Sequence, residues 1–237
     1  MKNNSLTKEE RADLKRLSGQ MLWVTSQTRP DLSFETCRMS NIGKDPIVNI
    51  LNVANKALSK LKRDEVKLQF PSLGDYKKLS VIVYSDATYA SLEDGSSQGG
   101  HIVFLKGCND KVVPIKWKST RLNRVTKSPL ASEALSLAEA SDAGFLVSTL
   151  VQEIFCLSTL PRVICYTDSR SLTDTLVTTK VISDTRLKID VARLREMTAK
   201  EEITVEWVDG KHQIADALTK RGASTASIIK ALNSNFL

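Results

Sequence analysis

The chain has 237 residues, 41% hydrophobic and 26% charged, with a formal net charge of +7. Those values describe one large globular domain, or a domain with an appendage, and exclude a disordered or fibrous chain. A basic excess of this size suits a polyanionic partner without requiring one.

The first 75 residues read as helical. Thr7 and Glu10 have capping-box spacing and open a helix with Leu14, Leu17, Met21 and Leu22 on one face. Thr28-Arg-Pro-Asp31 breaks it, and a short helix is expected over 32–39. Asp45-Pro46 then supplies an N-cap and a Pro at the first helical position. Ile47, Ile50, Leu51, Ala54, Ala57, Leu58 and Leu61 form the stripe of a third helix. Pro71 and Gly74 punctuate the next stretch, placing a boundary near residue 75: a small helical segment over 1–75, and a second domain over 76–237.

The pattern then changes. Strands are expected over 79–84, 99–105 and 112–117, joined by short loops as an antiparallel meander. Pro114 places the third at an edge or on a bulge. Ser128-Pro129 starts a long helix to about residue 155. A fourth strand over 162–167, reached through that helix, is expected to lie parallel to the first. Two helical segments follow over 171–177 and 185–200. A fifth strand over 203–208, a helix over 212–220 and a short helical tail complete the chain.

Two of these strands run into acids. Val81-Ile-Val-Tyr-Ser-Asp86 and Arg162-Val-Ile-Cys-Tyr-Thr-Asp168 each place a carboxylate where the strand is expected to end. Side by side, two such acids repel and call for a cation. Glu133 lies on the apolar side of the long helix with Leu130, Ala134, Leu137, Ala138 and Ser141. A carboxylate there is costly unless paired or metal-bound; a charge favoured by the helix N-terminus is the other reading. Glu139 and Asp142 read as acids of the solvated face. Asp216 lies among Ile214, Ala217 and Leu218 and by itself reads as a charge in a helix's first turn.

Other features narrow the chemistry. Cys37, Cys108, Cys156 and Cys165 form no C-x-x-C pair, and His101 and His212 are the only histidines, so a zinc site is short of ligands. Cys156 and Cys165 read as small core residues, and Trp117 and Trp207 as core aromatics. No run of 18 apolar residues occurs and Met1-Lys-Asn-Asn-Ser-Leu lacks a signal peptide's apolar core, so neither a membrane span nor secretion is expected. The expected setting is intracellular and reducing, in the cytoplasm or nucleus.

The order of acids resembles the ribonuclease H fold, and more closely the ribonuclease H domain of copia-type retrotransposon Pol polyproteins. The resemblance rests on Tyr84-Ser-Asp-Ala87, Ser97-Gln-Gly-Gly-His-Ile-Val-Phe104, Ile115-Lys-Trp-Lys-Ser119, Ser128-Pro-Leu-Ala-Ser-Glu-Ala-Leu135, Tyr166-Thr-Asp-Ser-Arg-Ser171 and Gln213-Ile-Ala-Asp-Ala-Leu-Thr-Lys220. Leu17-Ser-Gly-Gln-Met-Leu-Trp-Val24 with Thr28-Arg-Pro-Asp-Leu32 looks like the thumb or connection region after the polymerase palm of those polyproteins. No Tyr-x-Asp-Asp occurs, so no polymerase centre is expected.

The resemblance implies an α/β, ribonuclease H-like fold: a five-stranded mixed sheet with flanking helices, preceded by a small helical segment. It implies a metal-dependent endonuclease acting on the RNA strand of an RNA–DNA hybrid. Asp86, Glu133, Asp168 and Asp216 would hold two Mg2+ ions about 3.5–4 Å apart, with Mn2+ able to substitute. Asp86 and Asp168 would flank both ions, and Glu133 and Asp216 one each. Products would carry 5′-phosphate and 3′-hydroxyl ends. Reading the 2′-hydroxyl falls to Ser96, Ser97, Gln98 and Gly99, unless these form a plain loop. Lys116, Lys118, Arg121, Arg124 and Lys127 are phosphate-contact candidates, unless they form an ordinary solvated loop; Ser169 beside Asp168 is a further nucleic-acid candidate. The polymerase part of the same polyprotein is an expected partner. The alternative is a catalytically silent, domesticated module that keeps the fold and binds nucleic acid or protein. Integrase-like relatives usually place Glu where this chain has Asp216. A histidine precedes the last acid in cellular relatives, but His212 stands only four residues from Asp216.

Overall fold

The computed structural model describes residues 6–41, 49–92, 94–178 and 182–237. Asp45, Pro46 and Ile47, expected to start a helix, lie outside them.

Five strands form one mixed sheet: β1 (Ser80–Thr88), β2 (Gln98–Lys106), β3 (Val112–Arg121), β4 (Arg162–Thr167) and β5 (Thr204–Trp207), in the order β3-β2-β1-β4-β5. β1, β2 and β3 pair antiparallel, while β4 runs parallel to β1 and β5 parallel to β4. The meander, the edge position of β3 and the parallel crossover are those expected. Pro114 sits at a bulge: Val103 pairs with Lys116 and Phe104 with Pro114, leaving Ile115 as the extra residue.

The crossover from β3 to β4 is α4 (Pro129–Phe155), started by the Ser128 hydroxyl, which accepts from the Ala131 N–H at 3.2 Å. α4 buries Ala134, Leu137, Ala140, Ala143, Val147 and Val151 with Val81, Val83, Val103 and Val163 of the sheet. By length and composition α4 could cross a membrane, but 67% of its most apolar window is buried inside the protein. α5 (Arg170–Val177) and α6 (Thr185–Ala199) lie between β4 and β5 in the chain; α6 packs against α4, and its Leu187, Val191, Leu194 and Met197 close this first core.

The opposite sheet face carries a second core. Ile82, Tyr84, Ile102 and Phe104 pack there against Ile214, Ala217 and Leu218 and against Ile228, Ala231 and Leu232 of α7 (Ala226–Ser234). The expected helix over 212–220 is instead two 3-10 turns, Gly210–His212 and Ile214–Leu218. Gln213 between them is extended because its side chain is anchored: its Oε1 accepts from the Ala215 N–H and its Nε2 donates to the Ser85 carbonyl at 3.0 Å.

The helical segment comprises α1 (Lys8–Gln27), α2 (Ser33–Ser40) and α3 (Asn49–Arg63). The capping box of Thr7 and Glu10 forms as expected. Leu14 and Met21 are buried, but Leu22 is exposed, one step off the stripe. Buried Arg29 clamps buried Asp31 through two bonds of 2.8 and 2.9 Å and also reaches the carbonyls of Leu61 and Asp64, locking α3 to the break after α1. Cys165 is buried as expected; Cys156 is exposed, because it ends α4 in a left-handed conformation outside the core.

Candidate active site

Alternation along β1 sends Ile82, Tyr84 and Asp86 to the same sheet face. β1 continues past Asp86 to Thr88, so the acid is not at the strand's end; it is interior and 1% exposed. Asp168 follows β4 immediately. Glu133, one turn into α4, comes over the same sheet edge. Carboxylate oxygens of Asp86, Glu133 and Asp168 lie within 4.8 Å of one another.

Asp216 joins them indirectly. The Lys220 ammonium donates to Asp216 Oδ1 at 2.6 Å and stands 3.4 Å from Asp86 Oδ1 and 4.0 Å from Asp168 Oδ2. The Thr219 hydroxyl donates to Asp86 Oδ2. The strand carrying Asp86 is pinned from both sides: Ser136 of α4 donates to the Asp86 carbonyl at 2.9 Å, and Gln213 holds the Ser85 carbonyl. Asp168 is fixed through its backbone, where the Trp207 indole N–H donates to its carbonyl at 3.0 Å.

The electrostatics follow from burial and crowding. Burial raises Asp86 to about 6, opposed by Lys220 and the Thr219 hydroxyl. Burial first, then the Asp86 and Asp168 charges, push Glu133 up to about 9, although the Ala87 N–H donates to it. Burial also raises Asp216, against the pull of Lys220. Burial by itself would lower Lys220; the surrounding carboxylates, led by Asp86, raise it above the ordinary lysine value. Convergent oxygens, of which those of Asp86 and Glu133 resist ionisation, fit a hard divalent cation such as Mg2+, whose charge would favour the ionised forms. Glu139 and Asp142, the ordinary acids of α4, pair instead with Lys118 and Arg193.

The stretch expected to read the sugar is used within the protein. Gln98 and Gly99 pair on both sides, with β1 and β3, and Gln98 is fully buried with its Nε2 donating to Ser119 at 2.9 Å. Ser97 is buried in a hydroxyl network with Thr126 and Ser132 and accepts from the Ala90 N–H. Ser96 bonds Asp94 through its N–H and hydroxyl. The glycines do permit close approach, but of the protein's own parts. A Cβ on Gly99 would meet Leu122 at 2.5 Å, and one on Gly100 would meet Leu218 at 2.7 Å.

The basic segment is exposed or half-buried and mostly ion-paired: Lys118 with Glu139, Arg121 with Asp94, Arg124 with Asp190 and Lys127 with Asp184. The exposed pairs among these are weak and exchangeable, whereas Arg124 bonds a buried Asp190. Lys116 is exposed on β3. Ser169 caps α5, its hydroxyl accepting from the Leu172 N–H. Sequence reasoning passed over Lys220, although its spacing from Asp216 is that of a helical acid–base pair. It also missed Trp207, which is no core residue: it is exposed, with the Arg170 guanidinium 4.1 Å above its ring. His212 is exposed, and its N–H donates to the Asp209 carbonyl.

No protein-family model matches the chain. Among known proteins, it is 30% identical over 207 residues to the Retrovirus-related Pol polyprotein from transposon RE1 of Arabidopsis thaliana, an alignment covering 84% of this chain. It is 28% identical over 113 residues to the Putative transposon Ty5-1 protein of Saccharomyces cerevisiae, covering 47% of this chain and 34% of that protein. The chain spans only 13% of the RE1 polyprotein. Among solved structures, the N-terminal RNase H domain of rv2228c from Mycobacterium tuberculosis aligns at a TM-score of 0.43 and 14% identity, covering 66% of this chain and 98% of that one. The foamy viral protease-reverse transcriptase in complex with RNA/DNA hybrid aligns at 0.46 and 14%, covering 92% of this chain and 28% of that one. Over 84% of its length the chain is thus similar to one segment of a retrovirus-related Pol polyprotein of a transposon, and its five-stranded mixed sheet with flanking helices is the ribonuclease H-like α/β architecture expected from the sequence.

Proposed function

We propose that the chain is a ribonuclease H, a metal-dependent endonuclease that hydrolyses the RNA strand of an RNA–DNA hybrid. The observation that carries this reading is the convergence of Asp86, Glu133 and Asp168 within 4.8 Å, with Asp216 tied in through Lys220. Buried and half-buried acids at this density are destabilising unless a cation joins them. Asp86, Glu133, Asp168 and Asp216 are the residues that would hold Mg2+. When bound, a divalent ion supplies a Lewis acid and a water of lowered pKa.

The chain's own groups position this chemistry. The Thr219 hydroxyl orients the Asp86 carboxylate, and the Trp207 indole holds Asp168 by its carbonyl. Arg170, stacked on Trp207 next to Asp168, presents a guanidinium at the rim, where a phosphate of the substrate backbone is the fitting partner. Lys116, Lys118, Arg121, Arg124 and Lys127 extend a basic track along β3 and the loop into α4. An intracellular setting, cytoplasmic or nuclear, and the polymerase part of a longer polyprotein as partner both follow from this substrate.

The test is direct. The purified chain is given a hybrid with labelled RNA, in Mg2+ or in EDTA. RNA cleavage to 5′-phosphate products is expected in Mg2+ alone, Mn2+ is expected to substitute, and Asp86→Asn or Asp168→Asn is expected to reduce cleavage to background. One observation favours a silent binding module instead. Lys220 already neutralises part of the acidic cluster. Tight hybrid binding with no metal-dependent cleavage by the unmutated chain would decide for that module.

A further inference from the structure

We propose that Lys220 is a built-in counter-ion of the acidic cluster that competes with a metal ion for Asp86, Asp168 and Asp216. The proposal rests on the reading of the cluster as a metal centre. It concerns how that centre is held when no ion is bound.

A lysine pairing only with Asp216 would be an ordinary four-residue acid–base pair. Lys220 does more than that. Its ammonium makes a 2.6 Å bond to Asp216 and lies within 4.0 Å of carboxylate oxygens from two further elements, Asp86 of β1 and Asp168 after β4. Those two acids are also members of the group whose oxygens converge within 4.8 Å. A cation bound between Asp86 and Asp168 would therefore sit beside the ammonium, and two positive charges at that separation repel strongly in a partly buried site.

The surroundings give the lysine both a reason to enter and a way to leave. Asp86 is 1% exposed and cannot relieve its charge into water, and the Lys220 ammonium at 3.4 Å compensates it. The Lys220 side chain is 38% exposed, so its flexible stem can carry the charge out to solvent when an ion arrives. Asp216 lies at the rim of the cluster and can keep or release the ammonium without moving β1 or β4. The backbone at this point is fixed by neighbours that do not depend on Lys220, Gln213 on the Ser85 carbonyl and Ser136 on the Asp86 carbonyl, and the Thr219 hydroxyl holds the Asp86 carboxylate. Removing the ammonium should therefore leave the carboxylates in place and lower the cost of bringing in a metal ion.

The experiment is Mn2+ binding to the full chain without nucleic acid, for the unmutated protein, Lys220→Met and Lys220→Arg. A melting curve in EDTA accompanies each. Lys220→Met is expected to bind Mn2+ about tenfold tighter, a difference of about 1.4 kcal/mol, and to melt lower in EDTA, with the loss recovered by Mn2+. Lys220→Arg keeps the charge and is expected to keep the weaker affinity of the unmutated chain. A merely structural lysine would give weaker or unchanged Mn2+ binding on substitution, and that result in Lys220→Met would overturn the proposal while leaving the nuclease reading intact. Unfolding of Lys220→Met in EDTA with no rescue by Mn2+ would also overturn it. If the unmutated chain and both variants all fail to bind Mn2+, the metal centre itself falls, and this proposal with it.

Discussion

Glu133 is the residue at which the cost of crowding carboxylates together is most concentrated. Its carboxyl is raised to about 9 from an ordinary 4.5, by burial and then by Asp86 and Asp168. The folded chain therefore holds a proton there that the unfolded chain releases. Stability contributed by that proton is complete below 4.5 and is lost as pH rises towards 9. Asp86, raised to about 6, acts the same way over a lower window, and neutral His101, held down to about 4 chiefly by burial, costs stability only as pH falls below 6.5. Between pH 6.5 and 9 the slope belongs mainly to Glu133. In metal-free buffer, Glu133→Gln is expected to flatten that slope and to raise the melting temperature at pH 8 by about 4 °C. Parallel pH–melting curves for the two proteins would refute this. Asp86, Glu133 and Asp168 were legible in the sequence because an acid following an apolar strand run, or lying on an apolar helix face, breaks the local pattern. Lys220 was not, because lysine four residues after an acid is commonplace, and only the fold brings two more carboxylates to it.

At the scale of elements, the position of α4 over the sheet sets where Glu133 stands. Gly144 is the point of closest approach. A Cβ there would meet Val83 Cγ2 at 2.6 Å and Val163 Cγ1 at 3.0 Å, both branched side chains of the buried sheet. Gly144 lies about three turns along α4 from Glu133 and on nearly the same face. Gly144→Ala is therefore expected to cost about 1–3 kcal/mol by overpacking and to weaken metal binding by tilting Glu133 away from Asp86. Urea unfolding and Mn2+ binding check the two effects; an unchanged midpoint would mean that the helix can lift without strain. β1 and β2 followed from continuous apolar runs, and they are buried nearly throughout, while the long helices followed from helical spacing of their apolar residues. The stretch over 212–220 did not follow. Its apolar spacing suits a helix, but Gln213 is held extended by the Ser85 carbonyl, 128 residues earlier in the chain. No local pattern encodes a contact of that separation.

For the whole molecule, the question is where the sheet-bearing unit begins. Pro71 and Gly74 suggest a boundary near 75, but the packing extends further upstream. Val66 and Leu68 pack on the second core, and the Asn235 side chain near the C-terminus donates to the carbonyls of Gln69 and Val112. The helical segment has its own small core of Leu14, Met21, Leu32, Met39, Ala54 and Ala57. It reaches the sheet unit through a few polar ties: Trp117 to the Thr25 carbonyl at 2.7 Å, Lys60 to Thr225 at 2.8 Å, and Gln98 to Cys37. Cutting after residue 63 is expected to leave a folded unit, because none of the described residues of the second core comes from α1, α2 or α3. Cutting after residue 75 also removes Val66 and Leu68 and should cost about 2–3 kcal/mol more. Urea unfolding of 64–237 and 76–237 decides: equal midpoints would place the boundary where the Pro and Gly residues suggest, and a lower midpoint for 76–237 would make 64–70 an integral part of the second core. Hybrid affinity measured on 64–237 against the full chain then separates a gripping role for the helical segment from a purely supporting one, because that fragment retains every acid of the cluster.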